Sequence, residues 1–194
     1  MAELGPSPLA AGNELPVAVA RQAIADALRP ITERETVPLL TALGRVLAED
    51  VVSPIDVPAH DNSAMDGYAF RGAELCTDSP TSLVVTGPTV LAGMLLDQPV
   101  QPGQCVRIMT GAVMPAGLDT VVPQELCQVA EGRVSLAAGV LRAGENRRKQ
   151  GEDLARGKPA LTAGRLLGPA ELGLVASLGI AELRVLRRLR VALF

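Results

Sequence analysis

Aromatic side chains are scarce in this sequence: its 194 residues include two phenylalanines, one tyrosine and no tryptophan. Proteins that bind single-stranded nucleic acid commonly stack the bases on aromatic rings. The formal net charge of -3 adds no general attraction for phosphate backbones. We therefore expect no nucleic-acid partner, and a core built from aliphatic side chains, which the 48% hydrophobic content can supply.

Histidine and cysteine are also rare. His60 is the single histidine, which disfavours a Ser–His–Asp triad. The three cysteines are Cys76, Cys105 and Cys127, and none forms a CxxC pair. An odd number of thiols without metal-ligand spacing is typical of a reduced cytoplasmic protein rather than of a disulfide framework or a zinc site. We expect Cys105, inside QCVRIM, to be a small apolar core residue.

Long apolar runs are missing as well, since no segment approaches the roughly 18 residues of a membrane span. The first residues, MAELGPSPLAAGNELP, have neither the basic region nor the apolar region of a signal peptide. We therefore expect a cytoplasmic protein with no membrane partner. Residues 1–13, rich in proline and glycine, are predicted to be a disordered tail.

Helical periodicity occurs near both ends of the chain. Apolar residues recur at helical spacing over residues 14–29, which predicts an amphipathic helix that Pro30 ends. Gly168 as a cap, Pro169 at the first position and Gly179 past the end predict a second helix. Between these, TVPLL and VLAEDVV are predicted to be short strands around a helical turn at residues 41–45.

The middle of the chain has a different sequence pattern, in which glycine and proline separate short segments rich in β-branched residues. This pattern predicts a hairpin at Glu131–Gly132 and strands within SLVVTGPTV, QCVRIMTG, DTVVPQEL, CQVAEGRVSL and GVLRAG. The predicted fold class is α+β: a discontinuous α/β domain of residues 14–52 and 152–190, with a β-rich domain of residues 53–151 inserted. The apolar residues 191–194 are predicted to be the first buried strand of a further domain.

The segment HDNSAMDGYAF, residues 60–70, concentrates side chains that carry chemistry. Met65 stands where an EF-hand would require a ligand, so a calcium loop is excluded. Asp61, Asn62 and Ser63 can simply cap a turn, and Asp66–Gly67 is an ordinary turn pair. Residue types alone therefore leave a structural and a chemical interpretation open.

Two later segments have similar character. Thr110, at the end of a predicted strand, could present its hydroxyl and neighbouring backbone N–H groups to an anion. ENRRKQGEDLARGK, residues 145–158, sets Arg147 and Arg148 close to Asp153, which suits a phosphate with magnesium or equally a solvated connector. A basic run near the end is either the solvated face of a strand or a binding patch: Arg184, Arg187, Arg188 and Arg190.

Taken in order, these motifs resemble the N-terminal half of the molybdopterin molybdenumtransferase (MoeA) family, bacterial relatives of the gephyrin E domain. The resemblance extends from about Leu15 to Phe194 and rests on DNSAMDGYA, RIMTGAVMPAGLDTVVPQE, ENRRKQGED, GPAELGLVASLGIAEL and RVALF. It implies insertion of molybdate into adenylylated molybdopterin, with magnesium as cofactor and release of AMP. It also implies that the family chain continues past VALF into a molybdopterin-binding α/β domain.

The resemblance assigns roles to residues of this sequence. It implies Asp66, Thr110 and Asp153 as catalytic residues, with Asp66 and Asp153 holding Mg²⁺ or its waters and Thr110 bonding an anionic oxygen. Substrate-binding candidates are Asn62, Ser63, Arg147 and Arg148. Implied partners are a second copy in a homodimer, a molybdopterin adenylyltransferase and molybdoenzymes. Two alternatives stay open, a non-catalytic dimerisation or scaffold fragment of the family and a phosphate-binding β-domain of a hydrolase.

Overall fold

A computed structural model describes residues 15–193, which contain two α-helices and twelve β-strands. The helices are α1 (Val17–Ala27) and α2 (Pro169–Ser177). The strands are β1 (Arg34–Pro38), β2 (Val51–Val52), β3 (Asn62–Ser63), β4 (Gly67–Phe70), β5 (Thr81–Val85), β6 (Gln104–Ile108), β7 (Thr120–Pro123), β8 (Cys127–Ala130), β9 (Arg133–Leu136), β10 (Arg147–Arg148), β11 (Pro159–Leu161) and β12 (Glu182–Leu186). The predicted α+β class is confirmed. Neither helix of the described part has the length and apolar character needed to cross a membrane.

Six of the strands form one sheet in the order β7–β4–β6–β5–β9–β8. All neighbouring pairs are antiparallel except β5 and β6, which run parallel. The β8–β9 hairpin is confirmed, because Glu131 and Gly132 both have the positive φ angles, 50° and 73°, that a tight hairpin turn requires. Residues 53–151 contain no α-helix, as their β-rich pattern predicted.

Strand β4 was not predicted, although it is central to this sheet. It lies between β6 and β7, and all four of its residues are buried. The segment was interpreted as a loop, because four consecutive buried residues show no alternation and Asp66–Gly67 resembles a turn pair. The segment HDNSAMDGYAF, residues 60–70, is therefore anchored directly to the core.

Both faces of the sheet are covered by apolar side chains. Ala69 of β4 and Val106 of β6 belong to one buried cluster, whereas Tyr68 and Phe70 of β4 and Cys105 of β6 belong to another. Successive residues of a strand point to opposite faces, so the two clusters lie on opposite sides. Each large aliphatic or aromatic side chain buried in this way contributes ~1.5–3 kcal/mol. The prediction of a buried Cys105 is confirmed, with 0% exposure.

The two ends of the chain share a third apolar cluster. Strands β1 and β12 pair antiparallel, with Thr36 opposite Arg184. The cluster draws on residues 42–51 and 161–185, namely Ala42, Leu47, Val51, Leu161, Leu167, Val175, Leu183 and Val185. On β12 the buried Leu183 and Val185 alternate with an exposed Arg184, which confirms the strand-face interpretation for that arginine. The division into domains at residues 52, 53, 151 and 152 stays a prediction.

The two helices differ in how they pack. The signals predicted for α2 are confirmed, since Pro169 opens the helix, Val175 is buried and Gly179 follows with φ 75°. The prediction of a helix at α1 is also confirmed, but none of its residues is buried. Val17 and Ile24, from its apolar stripe, are 71% and 62% exposed.

Two predictions of local structure were wrong. GVLRAG forms no strand, because Gly139 and Gly144 adopt positive φ angles that an extended chain excludes. VLAEDVV forms only isolated bridges at Val46 and Leu47 before the two residues of β2. Residues 191–193 are exposed and unpaired among the described residues, and their assignment to a further domain stays a prediction. Phe194 and the predicted tail, residues 1–13, lie outside the described residues.

Candidate functional site

The register of β4 against β6 brings two distant motifs together. Gly67, the first residue of β4, pairs with Ile108, the last residue of β6. Asp66 immediately precedes β4, and Thr110 lies two positions beyond the end of β6. Because the strands are antiparallel, the start of one lies beside the end of the other. Residues 44 positions apart in sequence therefore meet at one edge of the sheet.

Thr110 holds the carboxylate of Asp66 through two hydrogen bonds to the same oxygen. Its backbone N–H donates to Oδ1 over 2.8 Å, and its hydroxyl donates to Oδ1 over 2.6 Å. These two bonds lower the pKa of Asp66, and the nearby Arg107 adds a smaller effect in the same direction. Hydrogen bonds to the charged form favour ionisation, so Asp66 is an anion at neutral pH.

The hydroxyl of Thr110 has one proton, and it donates that proton in its hydrogen bond to Asp66. In this structure the hydroxyl orients the carboxylate of Asp66; a contact of Thr110 with an anionic oxygen of a substrate stays a prediction. The backbone of Asp66 is fixed as well, because its carbonyl accepts a hydrogen bond of 3.0 Å from the N–H of Gln124, just beyond β7.

Arg107 is a nearby cation that the sequence interpretation missed. It lies opposite Tyr68 across the β4–β6 pair, with its guanidinium carbon 5.6 Å from the ring centroid. Its Nη1 donates to the Tyr68 hydroxyl over 3.1 Å, and its Nη2 donates to Oε1 of Gln124 over 2.9 Å. No carboxylate oxygen of residues 15–193 lies within ion-pair distance of it. A single arginine inside the apolar run QCVRIM was the available signal.

The four substrate-binding candidates come together on one strand pair. Strands β3 and β10 are antiparallel, with Ser63 opposite Arg147 and Asn62 opposite Arg148. Within residues 15–193, Oδ1 of Asn62 and Nε of Arg147 are buried without a hydrogen-bond partner. Unsatisfied buried polar atoms are costly, by ~1–3 kcal/mol each. Neither atom is satisfied by the described residues.

Ser63 has a structural role in this pair. Its hydroxyl donates to the carbonyl of Met65 over 2.6 Å, and the N–H of Met65 is 3.3 Å from the same hydroxyl oxygen. The side chain is buried, with 1% exposure. It closes the turn that leads to Asp66, which is the turn role that its residue type suggested.

Asp153 is exposed and belongs to an ion-pair network with Arg148. The Nη2 atom of Arg148 donates to Oδ2 of Asp153, and its Nε donates to Oε1 of Glu152 over 2.8 Å. The backbone N–H of Lys149 donates to the other oxygen of Glu152, also over 2.8 Å. This backbone bond first, and then Arg148, lower the pKa of Glu152. The network neutralises much of the charge of the arginine.

The two predicted magnesium ligands bond to different neighbours, Asp66 to Thr110 and Asp153 to Arg148. No group of three His, Cys, Asp or Glu side chains among residues 15–193 is arranged to hold a metal ion. The other oxygen of Asp66, Oδ2, makes no hydrogen bond to the described residues. Magnesium in phosphate-transfer sites commonly uses one or two carboxylates together with substrate phosphates. A single free carboxylate oxygen at Asp66 fits that requirement.

Comparison with known proteins assigns the family. Residues 15–179 match the family model described as "MoeA N-terminal region (domain I and II)". This chain belongs to the MoeA family. Every candidate site residue, from Asn62 to Asp153, lies within the matched MoeA region. The family resemblance predicted from the sequence motifs is thereby confirmed.

Curated MoeA relatives are named molybdopterin molybdenumtransferases. The Haemophilus influenzae protein of that name is 41% identical over 160 residues, which cover 82% of this chain and 39% of the relative. "Molybdopterin molybdenumtransferase 2" of Mycobacterium tuberculosis is 43% identical over 169 residues, covering 85% of this chain and 40% of that protein. This chain thus spans about two fifths of the length of the relatives it matches.

A solved MoeA structure has the same fold. The crystal structure of the molybdopterin biosynthesis moeA protein from Pyrococcus horikoshii OT3 superposes with a TM-score of 0.79 at 32% identity. The match covers 89% of this chain and 46% of that one. The mixed, sheet-rich architecture described above is therefore that of the N-terminal part of a MoeA protein.

Proposed function

We propose that this chain forms part of the active site of a molybdopterin molybdenumtransferase in molybdenum cofactor biosynthesis. The reaction inserts molybdate into adenylylated molybdopterin and releases AMP. The observation that carries the proposal is the pair of hydrogen bonds from Thr110 to Asp66. They hold an ionised carboxylate at the sheet edge, beside the cation of Arg107.

Release of AMP breaks a bond of a pyrophosphate, so negative charge must be stabilised on phosphate oxygens. Arg147 suits this purpose, because an arginine fork matches phosphate geometry and its Nε is free among the described residues. Arg148 would exchange its present contact with Asp153 for an anionic oxygen of the substrate. Asn62 would offer its amide to a polar group of the same ligand.

Asp66 is the residue best placed to hold Mg²⁺, through its Oδ2, and Asp153 is the second candidate. The ion, when bound, would neutralise phosphate charge. Thr110 fixes the rotamer of Asp66 in either case, which reduces the reorganisation needed when substrate arrives.

The proposal extends to partners and location. We propose a cytoplasmic homodimer, supported by the exposed apolar stripe of α1, in which Val17 and Ile24 contact no buried core of the described residues. A molybdopterin adenylyltransferase would supply the adenylylated substrate, and molybdoenzymes would receive the product. The same exposed stripe favours the second candidate function, a non-catalytic dimerisation or scaffold fragment of the family.

The test compares this chain with an extended chain, in which the rest of the H. influenzae relative is joined after the matched region. Each is supplied with adenylylated molybdopterin, Mg²⁺ and molybdate, and AMP release and cofactor formation are measured. We expect turnover in the extended chain and little in the chain as it stands. Inactivity of both would contradict the transferase proposal and favour the scaffold.

Substitution of Asp66 tests in the same assay whether its charge is needed for turnover. In the extended chain, Asp66→Asn is expected to lower turnover by ~10²-fold or more, since it removes the charge that the site is built to hold. Asp97→Asn, at an exposed loop position, makes the same chemical change away from the site and is the matched control. Equal activity of the two variants would remove Asp66 from the mechanism.

A further inference from the structure

The segment that carries Arg147, Arg148 and Asp153 has little regular structure of its own. Strand β10 has two residues and pairs with only the two residues of β3. Turns and one isolated bridge, between Leu154 and Val57, follow it up to residue 157. A two-residue pairing is a weak restraint for side chains that must bind a ligand in a fixed position. Other contacts must hold this segment in place.

Backbone hydrogen bonds tie residues 151–154 to Val57 and Pro58, and Asp61, just before β3, adds side-chain contacts to Arg147 and Gln150. Its Oδ1 accepts a hydrogen bond of 2.8 Å from the backbone N–H of Gln150, 89 positions away. Its Oδ2 lies 3.4 Å from Nη1 of Arg147. The main-chain carbonyl of Asp61 also accepts a hydrogen bond of 2.9 Å from the N–H of Met114. One residue thus joins the three motif segments that provide all the candidate site residues.

Asp56 fastens the same segment farther along. Its Oδ2 accepts from Nε2 of Gln150 over 2.9 Å, and its Oδ1 accepts from the N–H of Arg156 over 2.7 Å. A Cβ on Gly151 would come within 2.9 Å of Asp56 Oδ1, so the glycine allows this close approach. Asp56 therefore closes the turn, whereas Asp61 is the one that touches an arginine of the site.

The two side-chain contacts of Asp61 require a carboxylate. One of its oxygens accepts a hydrogen bond from a backbone N–H and the other forms an ion pair with a guanidinium, and the Asp61 and Arg147 side chains are 39% and 23% exposed. Charge-assisted hydrogen bonds in such partly buried places are stronger than exposed ion pairs. An asparagine could still accept from Gln150 but would turn a donor group toward Arg147.

We propose that Asp61 is a positioning residue, which holds Arg147 and the backbone of Gln150 so that the arginine segment stays in register with β3. Its effect on turnover rests on the proposed function, whereas its effect on the segment does not. Loss of Asp61 should open residues 147–150 locally, while the six-stranded sheet remains folded. The substrate would then meet arginines that are no longer pre-organised.

Limited trypsin digestion of this chain tests the local effect, because the segment offers cleavage after Arg147, Arg148 and Lys149. In Asp61→Ala we expect cleavage there to be ~10-fold faster or more, as local opening becomes easier. Cleavage after Arg29, beyond the end of α1, should not change. Asp97→Ala, an exposed aspartate without these contacts, is the control variant. Cleavage of Asp61→Ala at the unsubstituted rate would overturn the proposal.

Asp61→Asn keeps the proposal testable if the alanine variant fails to fold. It retains an acceptor for Gln150 but not the ion pair, so we expect cleavage after Arg147 to rise while hydrogen exchange of the Gln150 amide stays slow. Unchanged cleavage together with unchanged exchange would contradict the role of the carboxylate.

The extended chain gives the functional readout. A positioning role predicts that Asp61→Ala raises KM for adenylylated molybdopterin by ~10-fold and lowers kcat less, because ground-state anchoring is lost. Faster proteolysis with an unchanged KM would overturn the positioning role. If the unsubstituted extended chain is inactive, the transferase proposal fails, and the digestion of Asp61→Ala alone decides whether Asp61 holds the segment.

Discussion

The carboxylate of Asp66 receives two hydrogen bonds from Thr110, one from the backbone N–H over 2.8 Å and one from the hydroxyl over 2.6 Å. Both bonds end on the same oxygen, so the other oxygen keeps its lone pairs for a ligand. This contact depends on the register of β4 and β6, two buried strands of the central sheet. A site residue whose rotamer is fixed by the sheet edge is pre-organised in the sense that catalysis requires.

Replacing Thr110 by valine removes the hydroxyl bond and keeps the shape of the side chain. Because that bond is the largest cause of the lowered pKa of Asp66, we expect the pKa to rise toward its ordinary value. Carboxyl-carbon NMR titration of this chain measures the change directly. Thr110→Ser, which keeps the hydroxyl, is the matched control and should leave the pKa low.

The same substitution has a predicted effect on stability. A carboxyl whose folded pKa is lowered contributes stability above its unfolded pKa and loses it as the pH falls through the folded value. The unsubstituted chain should therefore exceed Thr110→Val in free energy of unfolding at pH 7, and the difference should shrink below about pH 4, near the ordinary pKa of aspartate. A difference that does not vary with pH would mean that the hydroxyl acts through packing alone.

Gly67 is required for close packing of β4 against β7. A Cβ at this position would lie 1.9 Å from the backbone oxygen of Val122 and 2.8 Å from its carbonyl carbon. All four residues of β7 are buried, so its backbone cannot retreat cheaply, and Gly67→Ala should lower the free energy of unfolding by ~3 kcal/mol. Urea denaturation measures this loss.

Gly173 offers the matched control for the glycine substitution. It lies exposed within α2, and a Cβ there would meet no atom within 4 Å. Gly173→Ala should therefore stabilise the chain by ~0.5–1 kcal/mol, as alanine loses less backbone entropy in a helix. Similar destabilisation by both substitutions would contradict the packing argument for Gly67.

Local patterns predicted much of the fold, and contacts between distant segments account for most of the rest. The caps of α2 and the turn at Glu131–Gly132 are encoded within a few residues, so the sequence revealed them. Strand β4 was missed because burial on both faces removes the alternation that marks a strand. The periodicity of α1 indicated a helix but not its packing, which depends on surfaces elsewhere in the fold or in a partner.

In the candidate site, too, the sequence identified residues, whereas the contacts between them depend on the fold. Asp66 and Thr110 were named from the family resemblance, and their contact follows from a strand register that no local pattern specifies. The bonds of Asp61 to Arg147 and Gln150 join residues more than 80 positions apart, and turn-forming potential was the only property of Asp61 visible in the sequence. Arg107 was visible as a lone charge in an apolar strand, but its neighbours come from distant segments, Tyr68 from β4 and Gln124 from the residue after β7.

The three cysteines should react with thiol reagents at very different rates. Cys76 is exposed, whereas burial raises the pKa of Cys105 to about 12 and also raises that of Cys127. The rise at Cys105 leaves roughly 10³-fold less thiolate than an ordinary cysteine has. At pH 7.5 we expect one fast thiol, lost in Cys76→Ser, and reaction of Cys105 only in denaturant. Equal reactivity of Cys76 and Cys105 in the folded chain would contradict the burial of β6.

Arg107 and Tyr68 should be energetically coupled, because the guanidinium lies over the ring and donates to the hydroxyl. Tyr68→Phe removes the acceptor and should cost ~1 kcal/mol, the usual value of one such hydrogen bond. Arg107→Met removes the cation and both of its hydrogen bonds, and it should also raise the pKa of Asp66 slightly, since Arg107 lowers it. In a double-mutant cycle followed by urea denaturation, we expect a coupling energy of ~1 kcal/mol. Additive effects in the cycle would show that Arg107 is held by Gln124 alone. An unchanged pKa of Asp66 in Arg107→Met would show that this cation lies too far from the carboxylate to act on it.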